Sequence, residues 1–392
     1  MASSDGTSSQ SAGMSGKRPG MSRAAGCAAT KLHHRSNVPW PESLRSFRWR
    51  LAWILAIAAL LACGVRWPCR AADPQPLLPG QIQQPLGIED WRAVLHNLAP
   101  DLLTNAIVRL VAVRALFETG RLPEEQFAWF DRPGPELLST GNLEGYAGAA
   151  HLAETLLQLG CLNAAERLAF DSIEMEGENP SALRTLARLH VVRGLTNAAL
   201  VFLNRLEAYP EQQAWAPRFR AALAADALAT TDPSIPRIRA NLLKGDQVAA
   251  GLTTERLLRL ALESNPTNRM AFQFLVAHQL FERRLLQAIR ALATSPQPLD
   301  DPLPRHYAEA VLLHRHVYPG ISLEALVRRV PPAVVSDFQR FLEMLKRGAA
   351  SPEQLRSEAR REFGKTYWHY YLLPPPEPAS RPPALDNPKP HE

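Results

Sequence analysis

Arg184 and Arg188 stand four residues apart in SALRTLARLH, so on a helix their guanidiniums share one face a turn apart. Two such forks suit an acidic group, which each can meet with parallel N–H donors. Glu154 precedes Arg188 by 34 residues, and Gln158 follows Glu154 by one turn. These four side chains form the candidate groove for a protein or peptide partner, with the arginines reaching for its carboxylate. Two solvated arginines paired with nearby acids are the other reading of the same spacing.

No comparable pattern supports catalysis. His306, Glu309, His314 and His316 fall in one helical stretch, but only His306 and Glu309, three apart, share a face well. They read as packing or surface histidines rather than metal ligands. Gly364-Lys365-Thr366 has the ending of a phosphate-binding loop, yet Ala359 stands where that loop needs its first glycine. HExxH, GxSxG and GxGxxG do not occur. Cys27, Cys63, Cys69 and Cys161 include no CxxC pair, which leaves neither a zinc site nor a disulfide framework. Cys161 reads as a buried inert thiol, with a bridge to Cys69 as the alternative. We therefore expect no enzyme, cofactor or metal.

The elements that must carry the four candidate residues are visible as a repeat. Gly160-Cys161-Leu162-Asn163-Ala164-Ala165 returns 34 residues later as Gly194-Leu195-Thr196-Asn197-Ala198-Ala199. This is the period of a helix-turn-helix unit, and residues 146–179 and 180–213 both resemble tetratricopeptide repeats. Ala153 and Ala187, and Ala165 and Ala199, are the small residues that let paired helices approach. Leu152, Leu156, Leu183, Leu186 and His190 fill the seam. Gly160 and Gly194 end the first helices, where a residue with positive φ caps the last carbonyls. Asn179-Pro180 supplies an N-cap and a first-turn proline. Asn265-Pro266 repeats that punctuation and opens a degenerate unit near 266–295, which has no glycine at its turn. The fold expected is all-α: a tetratricopeptide-like helix-turn-helix solenoid preceded by one N-terminal hydrophobic helix.

Outside those units, helical periodicity covers Trp91 to Leu98 and Leu102 to Leu116, the latter ending at Gly120. Further helices run from Pro302, Ser322, Pro332 and Pro352, the last behind the capping pair Ser351 and Gln354. Phe363 to Leu373, rich in aromatics, reads as a terminal helix docking on the last repeat. The helical domain spans 87–373. A proline-rich linker at 67–86 precedes it, and a disordered proline-rich tail, 374–392, follows.

The formal charge of +6 belongs to the leader. Residues 1–72 carry ten Lys/Arg against Asp5 and Glu42, so the remainder is close to neutral and offers no basic surface for nucleic acid. Residues 1–50 read as a disordered basic leader. Residues 51–66 contain the uncharged run LAWILAIAALLACGV, whose fifteen residues reach only about 22 Å as a helix. That length suits a signal peptide, cleaved near Ala71-Ala72 or lipidated at Cys63. The flanking Trp49, Trp53, Trp67 and arginines suit a retained anchor. A start at Met14 or Met21 would bring the leader to ordinary signal length. In each case the basic side precedes the apolar run, placing the body on the extracytoplasmic, periplasmic side of a membrane.

Asn265 to Leu280 (NPTNRMAFQFLVAHQL), Leu303 to Leu313 (LPRHYAEAVLL) and Tyr367 to Leu372 resemble an uncharacterised family of bacterial membrane proteins. That family joins a multi-pass membrane half to a tetratricopeptide-like soluble half. The resemblance covers roughly residues 140 to 372 and implies a short or truncated member, since this chain has one hydrophobic stretch. It brings no activity. The function expected is a non-enzymatic, membrane-associated scaffold for protein partners. The alternative is an accessory subunit of an envelope enzyme or transport complex, holding a glycan or small ligand on its aromatic C-terminal segment around Trp368.

Overall fold

Glycines with positive φ end the first helices of three hairpins. The computed structural model describes residues 91–98, 103, 106–130, 138, 148–245, 253–320, 323–348 and 351–373, all within the unit Pro76–Glu392. The expected leader, hydrophobic helix, linker and tail lie outside those residues. Helix α1 (Trp91–Asn97) precedes three hairpins: α2 (Ala106–Glu118) with α3 (Leu122–Trp129), α4 (Ala149–Leu159) with α5 (Leu162–Glu176), and α6 (Pro180–Val192) with α7 (Thr196–Leu206). Gly120, Gly160 and Gly194 turn them at φ +73°, +91° and +75°. At Gly160 the Cys161 N–H reaches the Leu156 carbonyl (2.9 Å) and the glycine's own N–H reaches Leu157 (3.0 Å). This six-to-one and five-to-two pair satisfies carbonyls that the helix end would leave open.

Two further hairpins use the same turn without glycine. Helix α8 (Trp215–Ala224) ends at Asp226, φ +52°, and leads into the short helices α9 (Leu228–Thr231) and α10 (Ser234–Ala240). After α11 (Thr254–Ser264), α12 (Arg269–Phe281) turns at Arg283, φ +55°, into α13 (Leu285–Ala293). Arg283 stands fifteen residues after the N-cap Asn268, the same interval that separates Asn179 from Gly194. A helix hairpin lies in this stretch, and it opens three residues later than Asn265-Pro266 implies. The Asn265 carboxamide oxygen is taken by the Thr267 N–H and hydroxyl, whereas that of Asn268 accepts from the Ala271 N–H and caps α12.

The chain continues through α14 (Arg305–Val317), α15 (Glu324–Val327), α16 (Pro332–Arg347), α17 (Pro352–Phe363) and α18 (Tyr367–Leu372). The described residues thus form 18 α-helices and no strand. None of these helices is long and apolar enough to cross a membrane. Helix α18 packs on α14, and its Tyr370 hydroxyl also donates to the Phe281 carbonyl at the end of α12 (2.8 Å).

The packing around α4 and α6 decides what the groove can be. An amphipathic first helix should leave its polar stripe in water, yet all eleven residues of α4 and Ser181–Val192 of α6 are buried. Ala153, Ala165, Ala187 and Ala199, expected at the close approaches, are fully buried. The opposite, polar faces of α4 and α6 are covered by α10, which packs on both. Its Ile235 and Ile238 are wholly enclosed, each contributing about 1.5–3 kcal/mol of apolar burial.

The connection after α10 ends on Gly160. A Cβ there would stand 1.9 Å from the Asn241 carbonyl oxygen, and the Leu243 N–H donates to the Gly160 carbonyl (3.3 Å). At Gly194 a Cβ would meet nothing within 4 Å. The two repeat glycines consequently differ. Gly194→Ala should cost about 1–2 kcal/mol for its left-handed backbone alone, and Gly160→Ala about 2–5 kcal/mol once the displaced connection is added. Urea denaturation of both variants checks this; equal losses would mean that residues 241–243 do not rest on Gly160.

Candidate binding pocket between the first helices and α10

Glu154 and Gln158 on α4, and Arg184 and Arg188 on α6, come together as the sequence spacing implies, but not as a solvated face. They are 3–8% exposed. The Glu154 carboxylate accepts from Gln158 Nε2 (2.8 Å), Thr185 Oγ1 (3.3 Å) and Arg188 Nη1 (3.4 Å). Arg188 Nε donates to Asp232 Oδ2 (2.8 Å), just before α10. The carboxylate that Arg188 grips therefore belongs to its own chain. Gln158 in turn accepts at Oε1 from Arg237 Nη2 (2.8 Å) and at its backbone carbonyl from Asn241 Nδ2 (3.0 Å).

The charges in this wall are balanced by geometry. Burial on its own pushes the Asp232 carboxyl up, but Arg188 and the Ser234 hydroxyl and N–H outweigh it and hold the group below the usual carboxylate range. Arg184 lies over the Trp215 indole with its guanidinium carbon 4.2 Å from the ring centroid, and Arg188 approaches the same ring at 5.4 Å. One aromatic face thus steadies two neighbouring cations. On the opposite side Arg114 donates to Glu118 (2.8 Å) and Thr155 (3.4 Å), with its guanidinium 5.6 Å from the Trp91 ring.

Together these elements enclose a pocket of about 230 Å³. Arg114, Arg184, Arg188, Arg218 and Arg237 line it against Glu118, Glu154 and Asp232, so the lining carries two net positive charges. Arg218 and Arg237 lie exposed at the mouth. An arginine-walled recess of this kind suits an anion. Sequence reasoning missed Trp215, Asp232 and Arg237 because they lie beyond the two clear repeats, on either side of a turn made by Asp226 instead of glycine.

The other chemistry-bearing residues lie in packing and capping contacts. His306 and Glu309 are fully buried, with Nδ1 and Oε2 2.7 Å apart. His306 Nε2 accepts from the Phe127 N–H (3.4 Å), which places the ring proton on Nδ1 facing Glu309. His314 packs against Tyr318, while His316 is exposed beside Phe338. Thr366, in the sequence Gly364-Lys365-Thr366, caps α18 through the His369 N–H. Cys161 is buried, as expected, and Cys69, its alternative partner, lies outside the described residues. Trp368, the expected ligand platform of the alternative reading, is 0% exposed, with its ring against Phe338 and Phe341.

An all-α protein of helix hairpins, with an arginine-lined pocket held between first helices and a segment of its own chain, is the class these features define. The chain belongs to DUF6057, a family of unknown function whose match covers residues 49–374. The match begins well before residue 140 and takes in the hydrophobic run 51–66. No curated protein and no solved structure matches the chain.

Proposed function

We propose that this chain is a non-enzymatic, membrane-associated binding protein with a tetratricopeptide-like solenoid body, attached through residues 51–66 and held on the extracytoplasmic side. Its partner is a protein that brings an acidic group to the mouth of the arginine pocket. The observation that carries this reading is the lining: the four groove residues picked out by repeat spacing converge on one recess with two net positive charges. Because Arg184 and Arg188 are buried, the variants that test docking belong at the mouth. Arg218→Glu with Arg237→Glu should lose a defined partner recovered from solubilised membranes, with the circular dichroism spectrum unchanged. A double variant that retains its partner contradicts the assignment.

A second reading is favoured by one observation. With α10 lying over the first helices, the recess has room for about 230 Å³, less than the roughly 300–1,000 Å³ of pockets for drug-sized ligands. That space suits a small anionic ligand carried by an accessory subunit better than an extended peptide. The ligand would occupy the arginine pocket, not the buried Trp368.

A further inference from the structure

We propose that the anion this pocket takes is a phosphate-class dianion, either inorganic phosphate or the phosphoryl group of a small soluble phosphomonoester. The proposal rests on the small-ligand reading of the pocket and names its chemistry. Three features carry it.

The first is direction. Arginines line the recess from four helices: Arg114 from α2, Arg184 and Arg188 from α6, Arg218 from α8 and Arg237 from α10. A carboxylate presents its acceptors in one plane and is served by one or two forks. A tetrahedral group with three terminal oxygens can be met from several sides at once, which is the arrangement these helices offer. The second is charge. The lining's net of two positive charges matches a dianion, and the carboxylates do not stand as bare repulsive groups, since Asp232 and Glu154 are bound to Arg188 and Glu118 to Arg114. The third is fixity. Trp215 holds Arg184 and Arg188 on one ring, and Gln158 holds Arg237, so these three arginines are ordered before the ligand arrives. Preorganised donors avoid the entropy that flexible arginines would lose on binding.

Calorimetric titration of the full-length protein in detergent, at constant ionic strength, tests this with inorganic phosphate, glucose 6-phosphate and succinate. We expect saturable binding of at least one phosphate compound, about tenfold or more tighter than succinate, a planar-ended dianion. Tighter binding of glucose 6-phosphate assigns the natural source to a phosphomonoester, and equal or weaker binding assigns it to free phosphate. Arg218→Gln with Arg237→Gln should weaken that binding by about tenfold or more with helical content intact. Succinate binding as tightly as phosphate, or phosphate binding undiminished in the double variant, overturns the proposal. So does an absence of phosphate binding by a folded protein. If that same protein still loses a membrane partner through the mouth variants, the binding reading survives and only the phosphate chemistry fails.

Discussion

Arg188→Ala should destabilise the protein by about 3–5 kcal/mol, because it leaves two buried carboxylates without their shared cation. Arg188 bridges Asp232 and Glu154, and all three side chains are at most 10% exposed. The cost is therefore largely that of stranded charge, and it should shrink when the acid is neutralised too. Arg188→Ala introduced into an Asp232→Asn background should cost clearly less than in the native chain, as judged by urea denaturation. Additive losses would mean that the two groups do not meet. The pH dependence has a definite sign. Asp232 titrates below its unfolded value, near 3.9, so its contribution is fully present above about pH 4 and is lost as pH falls through the lowered folded value. Removing Arg188 leaves burial to push this carboxyl up, so the acid-side loss should shrink in Arg188→Ala.

A loss of similar size, about 3–5 kcal/mol, is expected for Glu309→Ala. Glu309 is wholly buried and accepts from three donors: the Tyr367 N–H at the start of α18 (2.8 Å), Arg305 Nε (2.9 Å) and His306 Nδ1 (2.7 Å). Through His306 the same carboxylate reaches the Phe127 backbone on α3. Phe127 sits against Tyr367, Tyr370 and Phe281, so one carboxylate fixes the point where α3, α12, α14 and α18 meet. Glu309→Gln retains one acceptor but turns an amide N–H₂ toward donors, and should fall between the native protein and the alanine variant. Denaturation midpoints of the two variants decide it. A loss under about 1 kcal/mol for Glu309→Ala would show that the junction does not depend on this group.

How much of this was legible follows from which residues mark turns. Gly160 and Gly194 announced their hairpins, and Gly120 the end of its helix, because glycine takes the left-handed conformation without a Cβ penalty. Asp226 and Arg283 adopt the same conformation with the same pattern of backbone bonds, and nothing in their side chains says so. The hairpin that supplies Trp215, Asp232 and Arg237 was consequently invisible as a unit. Capping was readable where one asparagine stood alone, as at Asn179. It misled where Asn265 and Asn268 competed, since the choice was settled by Thr267.

The site was half legible for a related reason. A period of 34 residues placed Glu154, Gln158, Arg184 and Arg188 on one face, and the fold keeps them together. What the period cannot state is that the face is covered. The contacts that cover it join residues 44, 79 and 83 apart, from Arg188 to Asp232, Arg237 to Gln158 and Asn241 to Gln158, outside any repeat interval. The second feature that separates Gly160 from Gly194, the Asn241 carbonyl above it, is equally long-range.

Helix α10 should be a permanent wall of the first-helix groove, leaving a pocket rather than a channel. Hydrogen exchange read by mass spectrometry on the full-length protein, with no partner added, tests it most directly. Amides across residues 235–241 should be protected to a degree comparable with α4 and α6, since Ile235 and Ile238 are enclosed between them. Rapid exchange across 235–241 while α4 and α6 stay protected would contradict the account and return the groove to an open surface.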